Sequence, residues 1–95
     1  MANKFVPVEL LAELSSEDDA ELRAEVARKR SLPERLQLRL ARDSNEGVRS
    51  ALLYNAKATR QCLETLAADP AEWISARARQ RLEWGEYRAT SQSAE

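Results

Sequence analysis

The side chains of this 95-residue sequence that could do chemistry are its carboxylates, its arginines and one cysteine, because the sequence contains no histidine. Without histidine the familiar nucleophile and base pairs cannot be assembled. Cys62 alone cannot form an internal disulfide or a cysteine/histidine metal site. Neighbouring carboxylates such as Asp18 and Asp19 are typical of helix caps. We therefore expect a protein that is not an enzyme and that binds no metal or cofactor.

Charge is unevenly distributed although the net charge is only -1. Residues 1–26 carry seven acids and two bases, whereas residues 27–60 carry nine bases and three acids. Twelve of the fifteen bases are arginine, whose planar guanidinium favours bidentate contacts with carboxylates or phosphates. Two explanations remain open: neighbouring thirds of the chain pair with each other, or the basic third contacts an anionic partner.

The elements that would position these groups repeat along the chain with period 26. Three sets of equivalent positions illustrate the register: Leu10, Leu36 and Cys62; Leu14, Leu40 and Leu66; Leu22, Val48 and Ile74. Within each unit, two apolar sets with a spacing of four predict two amphipathic helices. We therefore predict three helical hairpins, over residues 7–32, 33–58 and 59–84.

A single hairpin of this size cannot bury its apolar face, so we expect the three hairpins to stack around one continuous core. The prediction is an all-α protein, a short α-solenoid occupying residues 1–85. Helix starts are predicted by Ser31 with Glu34 and by Asp69 with Glu72. Gly85 and the polar sequence after it predict a flexible tail over residues 86–95. No apolar run approaches the length of a membrane span, so we expect a cytoplasmic protein without membrane contact.

The motif Leu-Ala-x-Asp, followed five and six residues after the acid by an apolar residue and arginine ("DSNEGVR"), resembles the variant leucine-rich repeats and the wider HEAT-like family. The resemblance covers residues 7–84. It implies right-handed stacking with an inner surface that often binds partners, and it implies no catalysis. It also implies that acid and arginine positions such as Asp43 and Arg49 join neighbouring units, although they could instead form a charged binding surface. Ser75 replaces the arginine in the third unit, and Glu17 replaces the aspartate in the first.

The predicted second helices carry a stripe of side chains rotated away from their apolar faces. In the third unit the stripe contains Trp73, Arg77, Gln80, Trp84 and Tyr87. Its counterpart in the second unit contains Gly47, Ala51, Tyr54 and Ala58, and in the first unit Glu21, Glu25, Arg28 and Leu32. Small residues between Tyr54 and Trp73 indicate a shallow groove with an acidic edge.

We predict that this groove binds a protein partner, as in an adaptor, inhibitor or assembly factor, because Trp, Tyr and Arg dominate interface hot spots. The predicted contact residues are Tyr54, Trp73, Arg77 and Trp84. Two alternatives remain open for the tryptophans: they cover the open end of the last repeat, or they join two copies of the chain.

Nucleic-acid binding is the alternative function, based on the arginine-rich middle third. Its candidate residues are Arg28, Lys29, Arg30, Arg35, Arg39, Arg42, Arg49 and Arg60. The low isoelectric point, about 5.6, argues against this alternative.

Overall fold

The computed structural model describes residues 8–88, which form six helices and no strand. The helices are α1 (Val8–Leu14), α2 (Ala20–Ala27), α3 (Glu34–Leu40), α4 (Glu46–Leu53), α5 (Arg60–Leu66) and α6 (Glu72–Trp84). The prediction of an all-α protein is confirmed. Residues 1–7, most of the predicted tail (89–95) and the Leu10 side chain lie outside the described part.

The helices pack in two groups that alternate along the chain. The even helices form one group, in which α2 packs against α4 and α4 against α6, and α3 lies beside α5 in the other. The core fills the space between the two groups with aliphatic side chains. Its largest fully buried apolar members are Leu11, Val26, Leu32, Leu40, Val48, Leu52, Leu53, Leu63, Leu66 and Ile74.

Helix starts within each group are evenly spaced along the chain. The first residues of α1, α3 and α5 are spaced by 26 residues, and the first residues of α2, α4 and α6 have the same spacing. Among the helices whose start is described, three have a side-chain cap: Asp19 accepts from the Glu21 amide, Asn45 from the Val48 amide and Thr59 from the Cys62 amide.

The caps predicted at Ser31 and Asp69 are wrong. The helix α6 begins after Ala71, which makes no side-chain cap bond, and Asp69 accepts instead from the Ala71 amide in the preceding turn. The helix α3 begins at Glu34 directly after Pro33, which makes no side-chain cap bond. Proline suits this position because its φ is already fixed near the helical value and a helix start does not need its missing N–H.

Leu22 differs from its predicted equivalents in burial. Val48 and Ile74 are fully buried, whereas Leu22 is 37% exposed. In α4 and α6 this position belongs to helices that pack on a preceding even helix. Among residues 8–88, α2 is the first of the even helices, so no other helix of this group packs over Leu22 from the preceding side.

The chain turns back after α6 and contacts the start of α5. Gly85 ends α6 in the left-handed conformation, with φ of 72°, which glycine adopts without strain. The Arg88 amide then donates to the Ala58 carbonyl at 2.8 Å, and the Arg60 amide donates to the Arg88 carbonyl at 3.3 Å. The hydrogen-bonded part of the chain therefore continues past the predicted boundary at Gly85 as far as Arg88.

Candidate functional site

Large hydrophobic side chains are exposed only around the even helices in the described part of the chain. Leu22 lies on α2, Tyr54 is the C-cap of α4, and Trp73 and Trp84 lie on α6. The exposed fractions of Tyr54, Trp73 and Trp84 are 63%, 47% and 60%. The solvent-facing surface of the even helices, which we call the even-helix face, is therefore the apolar side of the molecule's exterior.

A concavity of about 340 Å³ lies on this face between the C-terminal ends of α2 and α4. We call it the α2/α4 cleft. It is lined by Arg28, Arg30, Gly47, Ser50, Ala51, Tyr54, Asn55 and Ala56. An aromatic ring and two guanidinium groups thus border a floor of small side chains.

Of the four predicted contact residues, Tyr54 lines the cleft and the other three do not. Trp73 borders it indirectly, because its indole N–H donates to Glu46 Oε2 at 2.6 Å and Glu46 precedes the lining residue Gly47. Arg77 is instead directed along α6, where it donates to Gln80 Oε1 at 2.7 Å. Trp84 ends α6, away from the residues that line the cleft.

Only part of the predicted stripe is exposed to solvent. Leu32 and Ala58, which were assigned to it, are fully buried, because each lies beyond the C-terminal end of its helix, where the chain turns into the core. Gly47 also has a local role: a Cβ at this position would lie 3.0 Å from the Asn45 side chain that caps α4. The groove is therefore shorter than the sequence suggested.

Of the two arginines that line the cleft, Arg28 belongs to the stripe predicted for the first unit, whereas Arg30 was not predicted on this face. The signal was available, because Arg28 lies one repeat period before Tyr54, and Arg30 lies the same interval before Ala56. Equivalent positions on α2 and α4 are neighbours across the cleft.

Two arginines of the even helices form bidentate ion pairs with the turn before the next even helix. Arg23 on α2 contacts Asp43 at 2.7 and 3.0 Å. Arg49 on α4 contacts Asp69 at 2.6 and 3.3 Å and also donates to the Asp43 carbonyl. These groups satisfy one another inside the molecule, which favours a structural role over a charged binding surface.

The ion pair between Arg23 and Asp43 shifts the pKa of both side chains. Burial acts to raise the pKa of Asp43, but hydrogen bonds from Arg23 and from the Asn45 amide outweigh it, so the pKa lies below its ordinary value of 3.8. The hydrogen bond from Arg23 to Asp43 correspondingly raises the pKa of the guanidinium.

The lowered pKa makes Asp43 a contributor to acid sensitivity. A carboxyl whose pKa is depressed in the folded state stabilises the fold fully above its unfolded pKa and loses that contribution as pH falls through the folded pKa. We expect the difference in free energy of unfolding between wild type and Asp43→Asn to be largest between about pH 5 and pH 7 and to shrink as pH falls below about 4. Urea denaturation across this range measures it, and a constant difference would contradict it.

At the ends of the even helices that lie opposite these ion pairs, buried polar side chains donate hydrogen bonds to backbone carbonyls. Asn55 Nδ2 donates to the carbonyls of Ala27 and Lys29 at 2.7 and 3.1 Å. Arg81 donates to the carbonyls of Leu53 and Asn55 at the same two distances. The donor Arg81 lies one repeat period after the donor Asn55. The acceptors Leu53 and Asn55 lie the same interval after the acceptors Ala27 and Lys29.

Cys62 and Gln37 are interior groups without access to a substrate. Cys62 is fully buried, and burial raises its thiol pKa to about 12, so it carries no reactive thiolate. Gln37 donates to the carbonyls of Leu32 and Lys57 and accepts from the Thr59 amide.

The arginines proposed for nucleic-acid binding occupy separate parts of the molecule. Arg28 and Arg30 border the cleft, whereas Arg35 and Arg39 are exposed on α3, and Arg39 donates to the Ser16 hydroxyl. Arg49 is bound to Asp69. These five arginines therefore do not form one basic surface.

No helix among residues 8–88 has the length and apolar character to cross a membrane. Within the same residues, no group of three or more acidic, cysteine or histidine side chains could hold a metal ion. In comparisons with known proteins, the chain matches no family model, no curated protein and no solved structure.

Proposed function

We propose that this chain is a non-enzymatic protein–protein interaction module that binds its partner through the even-helix face. The observation that carries the proposal is the placement of Tyr54, Trp73 and Trp84. These aromatic side chains are exposed on one group of helices, whereas no large hydrophobic residue of α1, α3 or α5 is exposed among the described side chains. Exposed aromatic side chains gathered on one face are typical of interaction sites.

The architecture that we propose behind this face is a right-handed α-solenoid of three hairpins with period 26, related to HEAT-like and variant leucine-rich repeats. Three recurrences at this spacing support it. The helix starts recur, the ion pair Arg23–Asp43 recurs as Arg49–Asp69, and the donor Asn55 recurs as Arg81. A stack of this kind presents equivalent helices side by side and so forms an extended binding surface.

The test has two stages. Tagged protein captures interacting proteins from lysate of its source, and the captured partner is then purified and titrated against variants. We expect Tyr54→Ala and Trp73→Ala each to weaken binding by about tenfold or more, because truncated aromatic hot spots commonly cost at least that much.

Gln61→Ala is the matched control because Gln61 is exposed on α5, outside the proposed face. Circular dichroism must show that all variants fold. If both aromatic variants bind the purified partner as tightly as wild type, the even-helix face is not the binding surface.

A second copy of the chain is the rival occupant, since Trp84 is 60% exposed at the end of the last helix. Light scattering separates the two cases. A dimer that becomes a monomer with Trp84→Ala would assign this part of the face to self-association.

A further inference from the structure

We propose that the α2/α4 cleft recognises an acidic peptide segment, with carboxylates bound by Arg28 and Arg30 and a neighbouring apolar side chain packed on Tyr54. This inference rests on the proposed protein-binding function and adds the chemical class of the partner. It concerns the cleft alone, so it can fail while binding elsewhere on the even-helix face holds.

The cations at the cleft form no ion pair within the described part of the chain. Arg28, Lys29 and Arg30 are three consecutive exposed bases just after α2, and none forms an ion pair with a described carboxylate. The arginines Arg23 and Arg49, by contrast, are paired with aspartates whose side chains are only 10% and 2% exposed. The basic charge at the cleft is therefore available to an external anion.

The surroundings of these cations suit a peptide. Gly47, Ser50 and Ala51 form a floor without bulky side chains, and Tyr54 offers an exposed ring at the edge. A volume of about 340 Å³ is at the low end for a ligand pocket, so it suits one or two side chains of a longer segment. A planar guanidinium pairs with a carboxylate through two parallel hydrogen bonds.

The charges beyond the cleft favour a short acidic segment over a nucleic acid. Glu21 and Glu25 line a neighbouring concavity on α2, which the cleft residue Arg28 also lines, and Glu46 lies next to the floor residue Gly47. A phosphodiester chain carries a charge at every nucleotide, so a strand crossing the face would meet these carboxylates. A peptide can place its acidic residues at the arginines and neutral or basic residues opposite Glu21 and Glu46.

The test uses three labelled probes and fluorescence anisotropy at low salt. They are a synthetic peptide of Asp, Glu and Leu, the same peptide with Lys replacing each acid, and an oligothymidine of similar length. We expect the acidic peptide to bind more tightly than the other two. The double variant Arg28→Glu/Arg30→Glu should weaken it by about tenfold or more, because each substitution replaces attraction by repulsion.

The matched control is Arg35→Glu/Arg39→Glu, which makes the same charge change on α3, outside the cleft. We expect this variant to bind the acidic peptide within about twofold of wild type, since exposed charges distant from the site are screened by salt. Tyr54→Phe should retain binding and Tyr54→Ala should weaken it.

Three outcomes would overturn the inference. Equal losses from the two double variants would mean a non-specific charge effect. Tighter binding of oligothymidine, lost with Arg28→Glu/Arg30→Glu, would assign the cleft to nucleic acid. Absence of peptide binding, while a purified partner still depends on Trp73, would leave the proposed function standing and remove only the acidic-peptide inference.

Discussion

Replacing Asp69 with asparagine should lower the free energy of unfolding by about 3 kcal/mol, because it removes one member of a buried ion pair and leaves the other without a countercharge. The Asp69 side chain is 2% exposed and that of Arg49 is 12% exposed. Asparagine keeps the oxygen that accepts from the Ala71 amide, so the turn is preserved. The loss of stability therefore measures the contribution of the charge on Asp69. Urea denaturation at neutral pH measures the effect.

Glu64→Gln is the matched control, because it makes the same carboxylate-to-amide change in a pair that is largely exposed. The Arg60–Glu64 pair links two side chains on α5, and their exposed fractions are 62% and 52%. Exposed pairs of this type contribute about 0.5 kcal/mol or less. Equal losses from Asp69→Asn and Glu64→Gln would show that burial of the pair does not control its contribution.

Arg81→Met should lower the free energy of unfolding by about 2–3 kcal/mol, because it leaves the Leu53 carbonyl at the end of α4 without its buried donor. Arg81 has a side chain that is largely buried, and burial lowers the pKa of its guanidinium. Arg79→Met is the control, since Arg79 is exposed on the same helix. Thermal or urea denaturation of both variants measures the difference.

Arg81→Asn tests whether the two donor positions are interchangeable. Asn55 makes the equivalent contacts to Ala27 and Lys29 with a shorter side chain. If helices one repeat period apart are geometrically equivalent, Arg81→Asn should recover part of the stability that Arg81→Met loses. Equal instability of the two variants would argue against equivalent repeats.

The helical class was predictable because the apolar residues follow a helical spacing through most of the chain. Val48, Leu52 and Leu66 are buried as that spacing requires. The burial of a helix position also depends on which helix lies beside it, and this is why Leu22 differs from Val48. The contacts of Arg88 could not be predicted, because a backbone bond to Ala58 leaves no pattern in side-chain types.

The residues of the candidate site could be predicted from their types, but which of them lie together could not. Off-core tryptophans and Tyr54 could be identified from their angular positions on a helix. Whether they meet depends on side-chain direction, and the bond from Trp73 to Glu46 and that from Arg77 to Gln80 divide the predicted group. Arg28 and Arg30 make the cleft basic. Arg28 was predicted on the stripe of the first unit, whereas Arg30 was considered only as part of a basic helix end or of a nucleic-acid site.

Each pair of successive even helices is joined at both ends. Between α2 and α4, Arg23–Asp43 lies at one end, and Asn55 with its two backbone acceptors lies at the other. Between α4 and α6, Arg49–Asp69 and Arg81 occupy the corresponding places. Two joints at opposite ends restrain one helix from pivoting on the next. If the even-helix face binds a partner as proposed, we expect it to lose little conformational entropy, and the ordering cost of association to fall mainly on the partner.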